Sequence, residues 1–279
     1  MPPLFTLKNL SCAYRRSDGT RTPAVLKIKD LQIPSGKIIV LLGKSGAGKS
    51  TILETLGLMN ETLTDASQLS FAPAPNEQYQ FESIWENKNI DSLRKKHFSF
   101  IFQNTNLMPN FTVYENICIT QMIQGASKNE AMQKARDMMQ RIGLQEVSEQ
   151  KKPHELSGGQ RQRVAFVRAI TPNFTVLFGD EPTGNLDEIN SRELMTILTN
   201  NIREHQRTAI IVTHNIDLAL EFADQIIILT KNKEEQCGQV ESDNIFIKNQ
   251  PDKTAKPWLA YQQYYNNADM RPIIEKLIL

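Results

Sequence analysis

Glycine is missing from the whole stretch between Gly57 and Gly125. Glycine is the residue that turns a chain through positive φ at no steric cost. A hairpin in this stretch must therefore turn on other residues, and Pro73-Ala74-Pro75-Asn76 are the candidates, between strand-like runs at Ser67–Ala72 and Tyr79–Ser83. Cysteine is scarce: Cys12, Cys118 and Cys237 are odd in number, far apart and without a C-x-x-C pair. That argues against a disulfide framework and a zinc site, and for a reducing compartment. Net charge is nearly absent, 32 basic against 31 acidic residues, so nothing draws the whole chain toward nucleic acid or anionic lipid. Long apolar runs are lacking too. The longest, such as Ile226–Leu229, are strand-sized, far below the ~20 residues that span a bilayer. The start, Met1-Pro-Pro-Leu-Phe5, has neither the basic nor the apolar region of a signal peptide. A soluble chain is expected, reaching any membrane through a partner. There is no internal repeat and no low-complexity tract. At 279 residues there is room for one large domain or two small ones.

What is present is organised around Gly43-Lys44-Ser45-Gly46-Ala47-Gly48-Lys49-Ser50, a match to G-x-x-x-x-G-K-S/T. The apolar run Lys37–Leu42 before it reads as a buried strand, and Thr51–Leu56 after it as the start of a helix. Glycines let successive backbone N–H groups turn toward one phosphate, and the helix N-terminus adds its partial positive charge. Lys49 then reaches the β- and γ-phosphates and the Ser50 hydroxyl ligates Mg²⁺. The alternative is a glycine-rich turn with a surface lysine, which the strand and helix flanks disfavour.

The rest of the chain alternates. Leu4–Leu10, Val25–Ile33, Phe98–Phe102, Thr175–Phe178, Ala209–Thr213 and Gln225–Thr230 read as strands, the last as the final core strand. Residues 112–143, about 187–205 and 216–222 read as helices. Ser127-Lys-Asn-Glu130 is a capping box, with Ala131, Ala135, Met138 and Ile142 on one face behind it. Met138 and Met139 are read as core, with a docking surface as the alternative. Arg161, Arg163 and Arg168 follow Leu156-Ser157-Gly158-Gly159-Gln160 on a helix running to Ile170. Without interleaved aromatics they read as surface charges. Trp258, Tyr261, Tyr264 and Tyr265 have the spacing of a helical stripe, either folded back on the core, the preferred reading, or exposed for docking. Strands alternating with helices imply an α/β fold with a mainly parallel sheet covered on both faces. Such sheets hold ligands at the carboxyl ends of their strands. Those ends carry the phosphate loop, Gln103, Asp180-Glu181 and His214. Asp180 suits a carboxylate that holds a metal through water, and Glu181 can accept a proton from an attacking water. A plain helix cap is the alternative for that pair.

The pentapeptide Leu156–Gln160 resembles the signature of ATP-binding-cassette (ABC) ATPases. The phosphate loop, Gln103, Asp180-Glu181 and His214 stand in that family's order. The resemblance covers about residues 4–230 and implies a P-loop core, a small antiparallel β subdomain and a helical signature subdomain at about 104–160. Residues 231–279 are left as a C-terminal extension. It also implies roles. Tyr14 stacks on adenine. The loop from Gly43 through Ser50, including Ser45, Gly46, Ala47, Gly48 and Lys49, holds ATP together with Thr51. Ser50, Gln103 and Asp180 attend Mg²⁺. Glu181 is the general base, while His214 contacts the γ-phosphate and Gln103 the lytic water. Ser157, Gly158, Gly159 and Gln160 face ATP bound by a second copy in a head-to-tail dimer, with Asp187 in a loop crossing that interface. The implied protein is an ATPase subunit driving a separate integral membrane permease from the cytoplasmic face, with no nucleic acid partner.

Pro182-Thr183-Gly184-Asn185-Leu186-Asp187, Leu56-Gly57-Leu58-Met59-Asn60 and Asn106-Leu107-Met108-Pro109 are similar to the ATPases of lipoprotein-release, macrolide-export and cell-division systems. Two stretches depart from the family: residues 60–97 lack its hairpin glycines, and the region after Lys231 lacks its strand-glycine-strand pattern. A cassette ATPase acting on DNA or ribosomes is the alternative function. The stretch between Ser50 and Leu156 leaves no room for the long coiled coil of chromosome-structuring types, and translation-factor types carry two cassettes. A regulator using ATP only as a clamp is disfavoured because every expected catalytic residue is present.

Overall fold

Phe5–Cys12 (β1) and Leu26–Ile33 (β2) alternate buried with more exposed residues, as strands with one solvated face do. Ile38–Gly43 (β3) does not alternate. All six residues are buried, which is the pattern of a parallel strand covered on both faces. The computed structural model describes residues 2–278 except 65–66, 83–88, 185, 233, 249–256 and 262. Met1, Ser83 and Asn185, all named above, lie outside the described residues.

After β3 the chain runs into Lys49–Leu56 (α1), then a hairpin of Gln68–Ala74 (β4) and Glu77–Phe81 (β5). The glycine-free hairpin closes on Pro75-Asn76. Its register shifts between Phe71 and Ala74, around Pro73, beyond the point where β4 pairs with β1. A proline has no N–H to give a ladder, so an irregularity of this kind is where a strand tolerates one. What holds the hairpin to the core is aromatic. Phe5, Phe71, Phe98 and Phe178 are in ring contact, with Phe71–Phe98 at 5.1 Å and Phe98–Phe178 at 5.2 Å. Each buried phenyl ring contributes roughly 1.5–3 kcal/mol.

Ile90–His97 (α2) leads into Phe98–Ile101 (β6), and Val113–Ile123 (α3) and Lys128–Arg141 (α4) follow. The single helical stretch expected over 112–143 is thus two helices. The chain breaks at Gly125, whose φ of 99° no helix continues, and α4 restarts on the expected Ser127/Glu130 capping box. Met139 is buried and Met138 partly so, both against the core. Gly158–Ile170 (α5), Val176–Asp180 (β7), Glu188–Glu204 (α6), Thr208–Val212 (β8), Ile216–Phe222 (α7) and Gln225–Lys231 (β9) complete the alternating part. The parallel strands lie in the order β9-β3-β8-β7-β6. Side chains of β3 point alternately into two cores. Ile38, Val40 and Leu42 meet α3 to α7, whereas Ile39 and Leu41 meet α1 and the antiparallel strands.

The tail corrects two expectations. β9 is not the last strand of the sheet: Gly238–Gln239 (β10) pairs with the end of β9 and with β2 and joins the parallel and antiparallel parts, and Ile245–Lys248 (β11) runs antiparallel to the start of β9, at residues 225–227. The aromatic stripe is not helical. Trp258–Ala260 (β12) and Gln263–Tyr265 (β13) form a hairpin in which Trp258 faces Tyr265. Pairing across a turn brings together residues that a helical reading spaces by three or four. The fold-back reading holds. Trp258 is fully buried and its Nε1 donates to Asn267 Oδ1 of the last helix, Asn267–Ile278 (α8), while Tyr261 and Tyr264 are exposed. Among the described residues no helix is long and apolar enough to cross a membrane.

Candidate functional site

Parallel pairing sets the ends of four strands level. Gly43 of β3 is two residues past Leu41, which faces Val212 of β8. Val212 faces Asp180 of β7, and Gly179 faces Ile101 of β6. The phosphate loop, His214, Asp180-Glu181 and Gln103 therefore lie along one edge of the sheet, each at or just beyond the end of its strand.

The loop depends on close approach. A Cβ at Gly43 would sit 2.4 Å from the Leu229 carbonyl oxygen, and Gly48, the N-cap of α1, has φ 89° with Leu26 3.3 Å from where its Cβ would be. No side chain fits the first and few tolerate the second. Lys49 is buried, and its Nζ donates to the carbonyls of Gly43 (2.7 Å) and Lys44 (3.0 Å). Burial pushes its pKa down, against the pull of Glu181 and Asp180. Ser45 and Gly46 are exposed, whereas Ala47 and Thr51 are buried. The Ser50 hydroxyl donates to Asp180 Oδ2 at 3.2 Å, so two hard oxygen donors from distant parts of the chain already adjoin.

Glu181 is buried at a φ of 48°, a left-handed conformation uncommon for a residue with a side chain. The strain is held by Glu181 N donating to Val212 O at 2.9 Å and by Gly184 N donating back to Glu181 O. Its Oε1 lies 2.9 Å from His214 Nε2, in ion-pair range but outside hydrogen-bond geometry, and has no hydrogen-bond partner. Burial raises the Glu181 carboxyl above the ordinary glutamate range. His214 and Lys49 oppose that rise and Asp180 adds to it. The plain helix cap does not describe this pair, because the next helix is capped by Asp187, whose Oδ1 accepts from Asn190 N.

Tyr14 is 40 % exposed, which removes it from the core, and its hydroxyl is 3.0 Å from Thr51 Oγ1 on α1. The ring thus stands beside the helix that the loop feeds. Ser157 caps α5: its Oγ accepts from Gln160 N, and Gln160 Oε1 accepts from Ser157 N. Ser157 and Gly158 are exposed. Among the described residues no hydrogen bond or ion pair joins Gln103 or the Ser157–Gln160 turn to the phosphate loop or to Glu181.

Gln162 and Asn116 carry no signal in the sequence, and Arg168 reads there only as a surface charge, yet all three connect the site. Gln162 Nε2 donates to Pro182 O at 2.7 Å, tying α5 to the turn after Glu181. Arg168 donates to the Thr105 and Asn106 carbonyls, both at 2.7 Å, tying the far end of α5 to the loop after Gln103. Buried Asn116 bonds Met108, Phe111 and Thr112 of that same loop. The surface-charge reading of the arginines is corrected accordingly. Arg161 donates to Leu156 O, Arg163 to Ile142 O and Asn190, and Arg168 is buried enough that desolvation lowers its pKa. A residue's number of donors is visible in sequence; the carbonyls they reach are not.

A parallel sheet whose strand end feeds a glycine loop into a helix N-terminus, with an Asp-Glu pair beside it, defines a P-loop nucleoside triphosphatase. Comparison with known proteins takes the assignment further. Residues 26–184 match the model of the ABC transporter family. The chain is 34% identical over 217 residues to lipoprotein-releasing system ATP-binding protein LolD 1 of Rhodospirillum rubrum, covering 78% of this chain and 92% of that one. It is 34% identical over 227 residues to the macrolide export ATP-binding/permease protein MacB of Shigella flexneri, covering 81% of this chain but 33% of MacB, so it spans about a third of that relative's length. The dimeric structure of MJ0796, a bacterial ABC transporter cassette, superposes with a TM-score of 0.71 at 29% identity, covering 85% of this chain and 96% of that one. The same cassette has also been solved in a dimeric post-hydrolysis state bound to ADP and Pi. The chain belongs to the ABC transporter family, and it is an ATPase cassette of that family.

Proposed function

We propose that the chain powers a separate integral membrane permease, working as a head-to-tail pair of copies that encloses two ATP. Residues 1–230 form the cassette, with the helical subdomain at 104–160, and residues 231–279 are an extension whose β10 and β11 pair with β9. The observation that carries this reading is the buried, base-like Glu181 beside an Asp180 that already meets Ser50. Glu181 takes the proton of the water that attacks the γ-phosphorus, Gln103 contacts that water and His214 contacts the γ-phosphate. Lys49 leaves its loop carbonyls for the β- and γ-phosphate oxygens. Ser50, Asp180 and Gln103 fit Mg²⁺, a hard cation satisfied by few protein oxygens when phosphates supply the rest. Bound there, Mg²⁺ would offset phosphate charge. Tyr14 stacks on the base, over Thr51.

The pentapeptide Leu156–Gln160 serves the partner copy's nucleotide, since Ser157 and Gly158 are exposed and unconnected to their own loop. Arg168 and Gln162 make α5 a rigid link between the Gln103 loop and the turn after Glu181, which suits transmission of nucleotide state. With Arg161, Arg163 and Arg168 committed to protein oxygens, the α5 arginines offer little to nucleic acid. The chain therefore acts from the cytoplasmic face, peripheral on its permease. Isolated at native abundance, it should bring down an integral membrane protein; co-isolation with nucleic acid or ribosomes in its place would favour the other reading.

Tyr14→Ala should weaken ATP binding by about 1–3 kcal/mol, the usual weight of a lost base–aromatic stack. An isothermal titration with unchanged affinity would remove Tyr14 from the site. In the loop after Gln103, Leu107 packs on the core while Met108 is 41 % exposed. Leu107→Ser should therefore lower the melting temperature, by about 1–3 kcal/mol of stability. Met108→Ser should leave stability within about 0.5 kcal/mol and yet reduce co-purification with the permease. Full retention of the permease by Met108→Ser would show that this loop does not dock.

A further inference from the structure

The parallel pairing that levels the catalytic strand ends also brings a residue of β9 to the phosphate loop from the opposite side. Gly43, the last residue of β3, faces Leu229 of β9, and two residues further along β9 stands Lys231, beyond the end of β3 and paired with Gly238 of β10. There the Lys231 ammonium lies directly against the loop: a Cβ placed on Gly46 would be 3.3 Å from Lys231 Nζ and 3.7 Å from its Cε. Lys231 is exposed, and among the described residues its side chain forms no hydrogen bond or ion pair. Lys27 of β2, on the far side of β10 from β9, is by contrast paired with Glu235 at 2.7 Å. Lys49, the loop's own buried lysine, has its Nζ folded back on the Gly43 and Lys44 carbonyls.

We infer that Lys231 is a second phosphate-binding cation of this nucleotide site, contacting the phosphates that ADP and ATP share. The inference rests on the nucleotide site proposed above. The position along the phosphate tail follows from strand order. Asp180, Glu181 and His214 lie at the ends of β7 and β8, on one side of β3, and the scissile γ-phosphate must lie toward them. Lys231 lies at the end of β9, on the other side of β3. A cation there meets the α- and β-phosphates and not the γ. Being exposed, it needs no movement of the core to reach them, and a polyphosphate of several negative charges leaves room for a cation beside Lys49.

The test is isothermal titration of the full chain with ATP, ADP and adenosine, in parent, Lys231→Ala, Lys231→Glu, Lys231→Arg and Lys49→Ala. Lys231→Ala should weaken ATP and ADP alike by about 2–5-fold, the range of an exposed charge pair, and the deficit should shrink as salt is raised. Lys231→Glu should weaken both further, Lys231→Arg should stay near the parent, and adenosine binding should not change. Parental ADP affinity in Lys231→Glu, with Lys49→Ala defective, would overturn the assignment of Lys231 alone. So would a loss confined to ATP, or one shared by adenosine. Parental affinity in Lys49→Ala would instead overturn the nucleotide site on which the assignment rests.

Discussion

Glu181→Gln should bind ATP as the parent does and turn it over roughly 10²–10⁴-fold more slowly, the weight usually carried by a general base. The amide keeps the shape of the buried side chain and removes only its capacity to take a proton. Because hydrolysis is what reopens the proposed pair, the variant should also elute at doubled mass in size exclusion with ATP, where the parent does not. Parental hydrolysis by Glu181→Gln would sink the assignment. Two pH effects follow from the raised carboxyl. Turnover in the parent should fall on the acid side at a pH above the ordinary glutamate range, as Glu181 gains its proton. The folded chain also holds that proton more tightly than the unfolded chain does. The associated stability is complete below the ordinary glutamate range and is lost as pH rises through the raised value. Glu181→Gln has no such loss, so without nucleotide it should melt higher than the parent at neutral pH, with the gap closing in acid. A thermal scan across pH separates this from any effect on catalysis.

Lys49→Ala should fail earlier, at binding. The lysine is the buried cation of the loop, and its removal leaves phosphate charge without the charge-assisted hydrogen bonds that are the strong ones in such sites. A loss of about 2–4 kcal/mol, some 30- to 1,000-fold in Kd, is expected in equilibrium binding of labelled ATP. The nucleotide-free protein should feel the change too, because the Gly43 and Lys44 carbonyls lose their donor and each loss costs about 1 kcal/mol when no water replaces it. Lys49→Arg keeps the charge but not the compact head that fits beneath the loop, and should bind weakly while regaining part of the stability. If labelled ATP bound Lys49→Ala as tightly as the parent, the loop would not be a phosphate site.

Most of what the chain does is written locally. Gly43–Ser50 carries its own spacing pattern, although the close approach that demands Gly43 comes from Leu229, far along the chain, and the Ser127/Glu130 and Ser157/Gln160 boxes close over three residues. The buried strands announce themselves by unbroken apolar runs, and strand and helix in alternation leave few topologies open. The order of the tail, by contrast, depends on distant partners. Trp258 and Tyr265 are neighbours only through a hairpin, and that hairpin is anchored by β11 on β9. Arg168 read as a surface charge for the same reason, since the Thr105 and Asn106 carbonyls it binds lie 63 and 62 residues away in sequence.

By itself, then, the sequence determined the phosphate loop, the helix caps, the parallel α/β layout and which residues stand at the strand ends, all properties of segments short enough to carry their own pattern. Only the tertiary structure decided the environment of those residues. Glu181 is base-like because burial, His214, Asp180 and Lys49 act on it together, and Lys231 belongs to the site because β9 happens to run beside β3. Burial and charge proximity are sums over contacts from the whole chain, and no local pattern contains them.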